Sequence, residues 1–285
     1  MNVNLPPVGP LEINRESPQA QNLISAGLFQ PPYASPHHLY DMAAGQVCSP
    51  YSNSPDSQVS VLGQHLHFND TRNSEAFVAP HLKHILDSGP TSMTLHYVAR
   101  FHGTGSTDED CLGLMWTGTQ GTGDANATRV IFRYDSNANQ LETFIRDSGD
   151  TTNVNMNAAV SIEDSQFHGL TMHWDGANIN NYVDGVSVGT PVAHADTLHN
   201  SATAKNPEII GGHFVTGATT TDGPRFDVKM WAFWIPALPT PVVPTLWHAQ
   251  TRWDLFKPAR RNYFAPTPAP PGTISHYAYP HRMFG

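Results

Sequence analysis

The chain of 285 residues is poor in charge and in cysteine. Charged residues make up only 14% of it. That is too little Glu and Lys for a helical bundle, and the many Thr, Ser, Asn and Gly suit short strands joined by polar turns. Lys and Arg number 15 against 24 Asp and Glu, a formal charge of −9. Phosphate recognition needs clustered cations, so nucleic acid is excluded as the main partner. Two cysteines, Cys48 and Cys111, do not make a disulfide scaffold in a chain of this length. One disulfide between them can form, but two free, mostly buried thiols are the favoured reading. No long apolar run occurs, because Trp231 to Leu238 is broken by Pro236 and is too short to span a bilayer. No membrane partner is therefore expected. The opening Met1-Asn-Val-Asn-Leu-Pro-Pro7 has neither a basic nor an apolar stretch, so no signal peptide is expected. Asn69-Asp-Thr71 and Asn126-Ala-Thr128 match the glycosylation acceptor pattern, which without a secretion signal reads as chance.

What the chain does contain is proline, glycine and alternation. Prolines crowd the first 60 residues (Pro6, Pro7, Pro10, Pro18, Pro31, Pro32, Pro36, Pro50, Pro55). Proline lacks the donor that a ladder or helix needs, so residues 1–58 read as an extended arm packed on the body. From 59 to 256 short alternating runs are bounded by Gly, Asn, Asp and Ser, the signature of strands. In Met93 to Phe101, the residues Met93, Leu95, Tyr97, Ala99 and Phe101 share one face. Asp184-Gly185 between two strands is a type I′ hairpin signal, since both central residues need positive φ. Asp135-x-Asn137-x-Asn139 resembles half a calcium loop. It lacks the required Gly and closing Glu, so it reads as a hairpin turn. One helix is expected near the end, over about 242–250, with Pro241 and Pro244 by its start. Residues 257–285 form a second arm rich in proline, aromatics and arginine.

The segment Gly169 to Gly189 contains Trp174-Asp175-Gly176 and then Tyr182-Val183-Asp184-Gly185. With Ile209-Ile210-Gly211-Gly212 and Phe226 to Ala232, it resembles the laminin-G/concanavalin A-like superfamily over about residues 60–256. The resemblance implies an all-β fold, a concanavalin A-like antiparallel sandwich or jelly roll, with Pro-rich arms and one short C-terminal helix. Ile13-Asn14, Pro18, Ala20, Leu23, Gly27, Leu28, Tyr40-Asp41 and Leu246 to Arg261 are similar to the opening and closing segments of sandwich proteins in tailed bacteriophages.

The superfamily also hosts glycan hydrolases, which place two carboxylates about 5 Å apart on one strand face in retaining enzymes. No Glu-x-Asp-x-x-Glu occurs, and the adjacent Glu163-Asp164 would face opposite sides of a strand. Gly-x-Ser-x-Gly and HExxH are also absent, so no catalytic residue is assigned. His65-x-His67 puts two imidazoles on one strand face, as a zinc site can use. With no Cys or Glu cluster nearby in sequence, the favoured reading is a solvated histidine face opposite Leu66 and Phe68. No cofactor is expected. Calcium is the one ion left open, at the loop residues Asp108, Asp110 and Asp124.

The resulting expectation is a non-enzymatic structural virion protein, assembled in the host cytoplasm without a leader. It would be a capsid decoration or cement protein, lattice-bound or a homo-oligomer, gripping the major capsid protein. Its partner-binding residues would be Arg260, Arg261, Tyr263, Phe264, Tyr277, Tyr279, Met283 and Phe284, since aromatics, Met and Arg are enriched at interfaces. The alternative is a carbohydrate-binding module of a tail fibre or adhesin, with a glycan held by loops 103–110, 117–127 and 214–224.

Overall fold

The computed structural model describes residues 10–29, 34–35, 38–50, 56–60, 63–68, 76–102, 109–110, 116–117, 128–135, 138–146, 153–198, 207–211, 215–216, 219–220 and 226–259. Strands begin with β1 (Leu11–Ile13), β2 (Leu23–Leu28), β3 (Ala34–Ser35), β4 (His38–Asp41), β5 (Gln46–Pro50), β6 (Asp56–Ser60), β7 (Gly63–His67) and β8 (Ala76–Val78). Next come α1 (Lys83–Asp87), β9 (Met93–Phe101), β10 (Glu109–Asp110), β11 (Trp116–Thr117), β12 (Thr128–Asp135), β13 (Gln140–Arg146) and β14 (Asn153–Ala159). The series closes with β15 (His168–Trp174), β16 (Asn178–Val183), β17 (Val186–Ala193), β18 (Glu208–Gly211), β19 (Val215–Thr216), β20 (Thr219–Thr220), β21 (Phe226–Trp234) and β22 (Phe256–Pro258).

One large antiparallel sheet runs in the order β17-β16-β15-β9-β21-β7-β6. Strand β21 is long enough to take two partners on one edge. Strand β2 pairs with Met230–Trp234, and β7 pairs with Asp227 and Val228. The facing layer is made of two smaller sheets, β10-β12-β13-β14 and β18-β8-β5-β4-β3. The β16–β17 turn has Asp184 at φ 52° and Gly185 at φ 78°, the two positive angles that the Asp-Gly signal requires.

The alternation read in Met93 to Phe101 lands as expected: Met93, Leu95, Tyr97, Ala99 and Phe101 all enter the central core. There they meet Phe132, Tyr134, Leu141 and Ile145 from the facing layer. Buried polar links cross the layers, and Asn181 Nδ2 donates to the Leu141 carbonyl at 3.2 Å. Thr143 Oγ1 donates to Asn181 Oδ1 at 2.7 Å, and Tyr97 Oη donates to the Ile209 carbonyl at 2.7 Å. Cys48 is a buried free thiol in the same core, and burial with the nearby Asp41 charge pushes its pKa far up.

The other face of β9 is buried as well, which a half-solvated sheet would not show. A second apolar cluster covers it. Leu11, Ile13, Leu23 and Leu28 from the N-terminal part and Leu238, Val243, Leu246, Trp253, Leu255 and Phe256 from the C-terminal part pack on Val98, Met230, Ala232 and Trp234. Strand β1 pairs with β22, with Leu11 opposite Pro258, and closes this layer. The helix expected near the end is present as a 3-10 helix, Thr240–Leu246, since Pro244 inside it removes a donor that an α-helix would use. Among the described residues the α-helical turn is α1, whose Leu86 caps the core edge together with Leu82 just before it.

This covering leaves titratable groups in an apolar layer. His96 is fully buried with Nδ1 2.8 Å from Thr171 Oγ1, and burial holds its pKa down to about 3. The unfolded imidazole titrates near 6.5, so at lower pH the unfolded chain takes a proton that the folded chain refuses. Stability therefore falls as pH drops below about 6.5, by up to about 1.4 kcal/mol per pH unit from this residue. Burial lowers His173 too and adds to the same slope, while the raised pKa of His168 between Asp164 and Asp184 opposes it. Urea midpoints measured from about pH 7 to pH 5 should fall more steeply for the wild type than for His96→Gln. Equal slopes would show that His96 protonates freely in the fold.

Candidate functional site

The open part of the covered face lies where β7, β9 and β21 run past the terminal layer. Asp227 of β21 stands opposite His67 of β7 on one side and opposite Arg100 of β9 on the other. Cross-strand neighbours on one face sit about 5 Å apart, so the register alone brings these side chains together. His65, two residues along β7, and His102, two residues beyond Arg100, join from the same face because side chains repeat every second residue. The Asp227 side chain is 0% exposed, against 22% for His67, 21% for Arg100 and 33% for His102.

The carboxylate is the hub. His67 Nδ1 lies 2.7 Å from Oδ1, while Oδ2 receives Arg100 Nε at 2.7 Å and faces His102 Nε2 at 2.9 Å. Arg100 Nη2 also contacts Oδ2, and His65 Nε2 stands behind at 3.4 Å. Burial by itself would raise the Asp227 pKa. Hydrogen bonds from His102 and His67 and the charges of His102 and His65 outweigh it and hold the carboxyl well below its usual range. Phe167 walls the site, with the Arg100 guanidinium 5.0 Å from its ring centroid and the His65 ring edge-on at 5.6 Å. The arrangement offers one fixed anion, one fixed cation and partly exposed imidazoles on rigid strands. It suits binding of a polar or metal ligand.

The pattern His65-x-His67 opposite Leu66 and Phe68 was legible, but the expected solvated histidine face is not found. His65 is 1% exposed and both imidazoles address Asp227. The reason is a partner 160 residues away in the chain. Asp227, Arg100 and His102 were not singled out in sequence. The available signal was Asp227, which with Lys229 is charged inside the otherwise apolar Phe226–Trp234. Of the calcium candidates, Asp108 and Asp124 lie outside the described residues, and Asp110 is described only as a backbone pair with Tyr134. Arg260, Arg261, Tyr263, Phe264, Tyr277, Tyr279, Met283 and Phe284 also lie outside them, as does Cys111. Among the described residues no helix is long and apolar enough to cross a membrane.

The layers, register and hairpins are those of a concanavalin A-like sandwich. Residues 101–234 match the laminin-G-type family described as the concanavalin A-like lectin/glucanases superfamily. No curated protein sequence matches the chain. Among solved structures, domain 4 of AbnA, a GH43 extracellular arabinanase from Geobacillus stearothermophilus in complex with arabinotriose, is similar at TM-score 0.56 and 10% identity. That match covers 80% of this chain and 98% of the domain. Trypanosoma rangeli sialidase in complex with sialic acid aligns at TM-score 0.55 and 14% identity, over 86% of this chain but 36% of the sialidase. A chain of botulinum neurotoxin type C, whose cell entry is described as dependent on interaction with two ganglioside molecules, aligns at TM-score 0.51 and 10% identity, over 80% of this chain and 51% of that one. These identities speak for the fold. This chain spans about a third of the sialidase chain and half of the neurotoxin chain in those structures.

Proposed function

We propose that the protein is a non-catalytic binding module whose ligand is a glycan. The observation behind this reading is the match to domain 4 of the arabinanase, a sandwich in complex with arabinotriose that this chain covers almost entirely. The pairing of several described carboxylates agrees with binding rather than cleavage. Asp227 is tied to Arg100 and three imidazoles, Glu142 to Arg133, and Asp164 and Asp184 to His168. A nucleophile and an acid acting on one glycosidic bond would need freer partners. Arg100, His67 and His102 supply partly exposed donors for sugar hydroxyls at the open end of the face. The test is an oligosaccharide array probed with the full chain, with and without calcium. Binding to a defined glycan set is expected. The absence of any hit overturns the reading.

A second reading rests on a separate observation. Strand β1 pairs with β22, and Ala259 N donates to the Pro10 carbonyl at 2.8 Å, so Pro10 and Ala259 lie side by side. That juxtaposition would suit a capsid decoration protein of a tailed bacteriophage that grips the major capsid protein with the Pro-rich arms expected from the sequence and sums weak contacts by avidity. Co-sedimentation with undecorated capsids, comparing the full chain with one ending at Phe256, tests this. Binding that survives the truncation, or no binding, defeats it.

A further inference from the structure

We propose that His67, His102 and Asp227 form a binding site for a divalent transition-metal ion of the zinc class. One ligand atom from each lies within 4.8 Å of the others. A tetrahedral zinc ion with bonds of about 2.0–2.2 Å needs donors separated by about 3.3–3.5 Å. The Asp227–His67 and Asp227–His102 pairs, at 2.7 and 2.9 Å, have to open by about half an ångström to admit the ion. The exposed ring of His102 can make that movement, since it lies just beyond the end of β9 and its side chain is 33% exposed. Two imidazoles and one carboxylate are a nitrogen-rich set that favours zinc, nickel or copper over calcium and magnesium, which prefer oxygen.

The surroundings have the features that hold metal ligands in place. Arg100 grips Oδ2 of Asp227 and is itself seated against Phe167, so the carboxylate is oriented before the ion arrives. His65 backs the same carboxylate at 3.4 Å. Strands β7 and β21 supply two of the donors, and the partly exposed position just beyond β9 supplies the third. On binding, a ring that carries two protons releases the one facing Asp227 to solvent, and a neutral ring moves it to the far nitrogen, so each presents the nitrogen that now faces Asp227 as a lone pair. No oxidant or reductant is involved. The rival account is a purely hydrogen-bonded cluster, in which Arg100 already neutralises Asp227. This inference is independent of the glycan reading, because its test contains no sugar.

The experiment is calorimetric titration of the full chain, stripped with a chelator, using zinc chloride alone. One equivalent is expected to bind with micromolar or tighter affinity. His102→Ala, at an exposed position outside the strand, should weaken it by more than the roughly 10–100-fold that outer-shell partners contribute, and His67→Ala likewise. His248→Ala, at an exposed histidine elsewhere, should leave it unchanged. Cobalt(II) should give a visible absorption band of the tetrahedral type that His102→Ala abolishes. If His67→Ala fails to fold, the cobalt spectrum of His102→Ala decides. Absence of stoichiometric binding, or binding that survives both the His102→Ala change and the spectral test, overturns the proposal.

Discussion

Replacing Asp227 by alanine is expected to lower the unfolding free energy by about 3–5 kcal/mol, the range for breaking a buried ion pair by removing one partner. The carboxylate is wholly buried and is the shared partner of Arg100, His65, His67 and His102. Without it, four basic groups from β7 and the β9 end face one another across β21. The lower end of the range is the better expectation, because Arg100, His67 and His102 each keep some contact with water. Asp227→Asn should lose less, since the amide oxygen still accepts one hydrogen bond. Urea unfolding in the presence of a chelator measures this apart from any metal. The midpoint should drop at unchanged slope. A loss under about 1 kcal/mol would show that the cluster is not held by its carboxylate.

Gly27→Ala should be comparably damaging, by about 3 kcal/mol or more, although it adds a single methyl group. Gly27 lies opposite Trp231 in the β2–β21 ladder, and the indole lies across it. A Cβ built on Gly27 would sit 1.9 Å from Trp231 Cη2 and 2.3 Å from Cζ3. The ring cannot easily move away. It is fully buried, its Nε1 donates to Ser25 Oγ at 3.0 Å, and Phe29 packs on it at a centroid distance of 5.1 Å. The expected result is a folded fraction that melts several degrees lower, or a chain that does not accumulate in soluble form. The pair Gly27→Ala with Trp231→Phe should regain part of the loss, because the smaller ring clears the methyl group. A Gly27→Ala chain as stable as the wild type would mean that β2 does not pair with β21 as described.

How far the sequence reaches differs between the core and the candidate site. Met93, Leu95, Tyr97, Ala99 and Phe101 could be placed on one face, and Asp184-Gly185 at a hairpin, because a strand repeats every two residues and a tight turn demands positive φ. Those rules are local, so the sequence alone was enough for an all-β sandwich or barrel, and the resemblance carried by Gly169 to Gly189 pointed to the sandwich. The strands Leu23–Leu28 and Gln46–Pro50 were harder to see in a proline-dense stretch. They gain ladder partners only from β21, β4 and β8. The second layer was illegible for the same reason: nothing in Thr94, His96 or His173 announces that segments from both ends of the chain will bury them.

The cluster around Asp227 is the clearest case. Its members are spread from His65 to Asp227, and His65-x-His67 by itself reads equally well as a wet strand face. Register decided otherwise, because pairing β21 between β7 and β9 sets Asp227 directly opposite both His67 and Arg100. The sequence determined which residues alternate and where the chain turns, since both depend on neighbours one to four positions away. Which charges meet, and which face is sealed from water, was decided by tertiary structure, since strand register joins residues that no local rule connects.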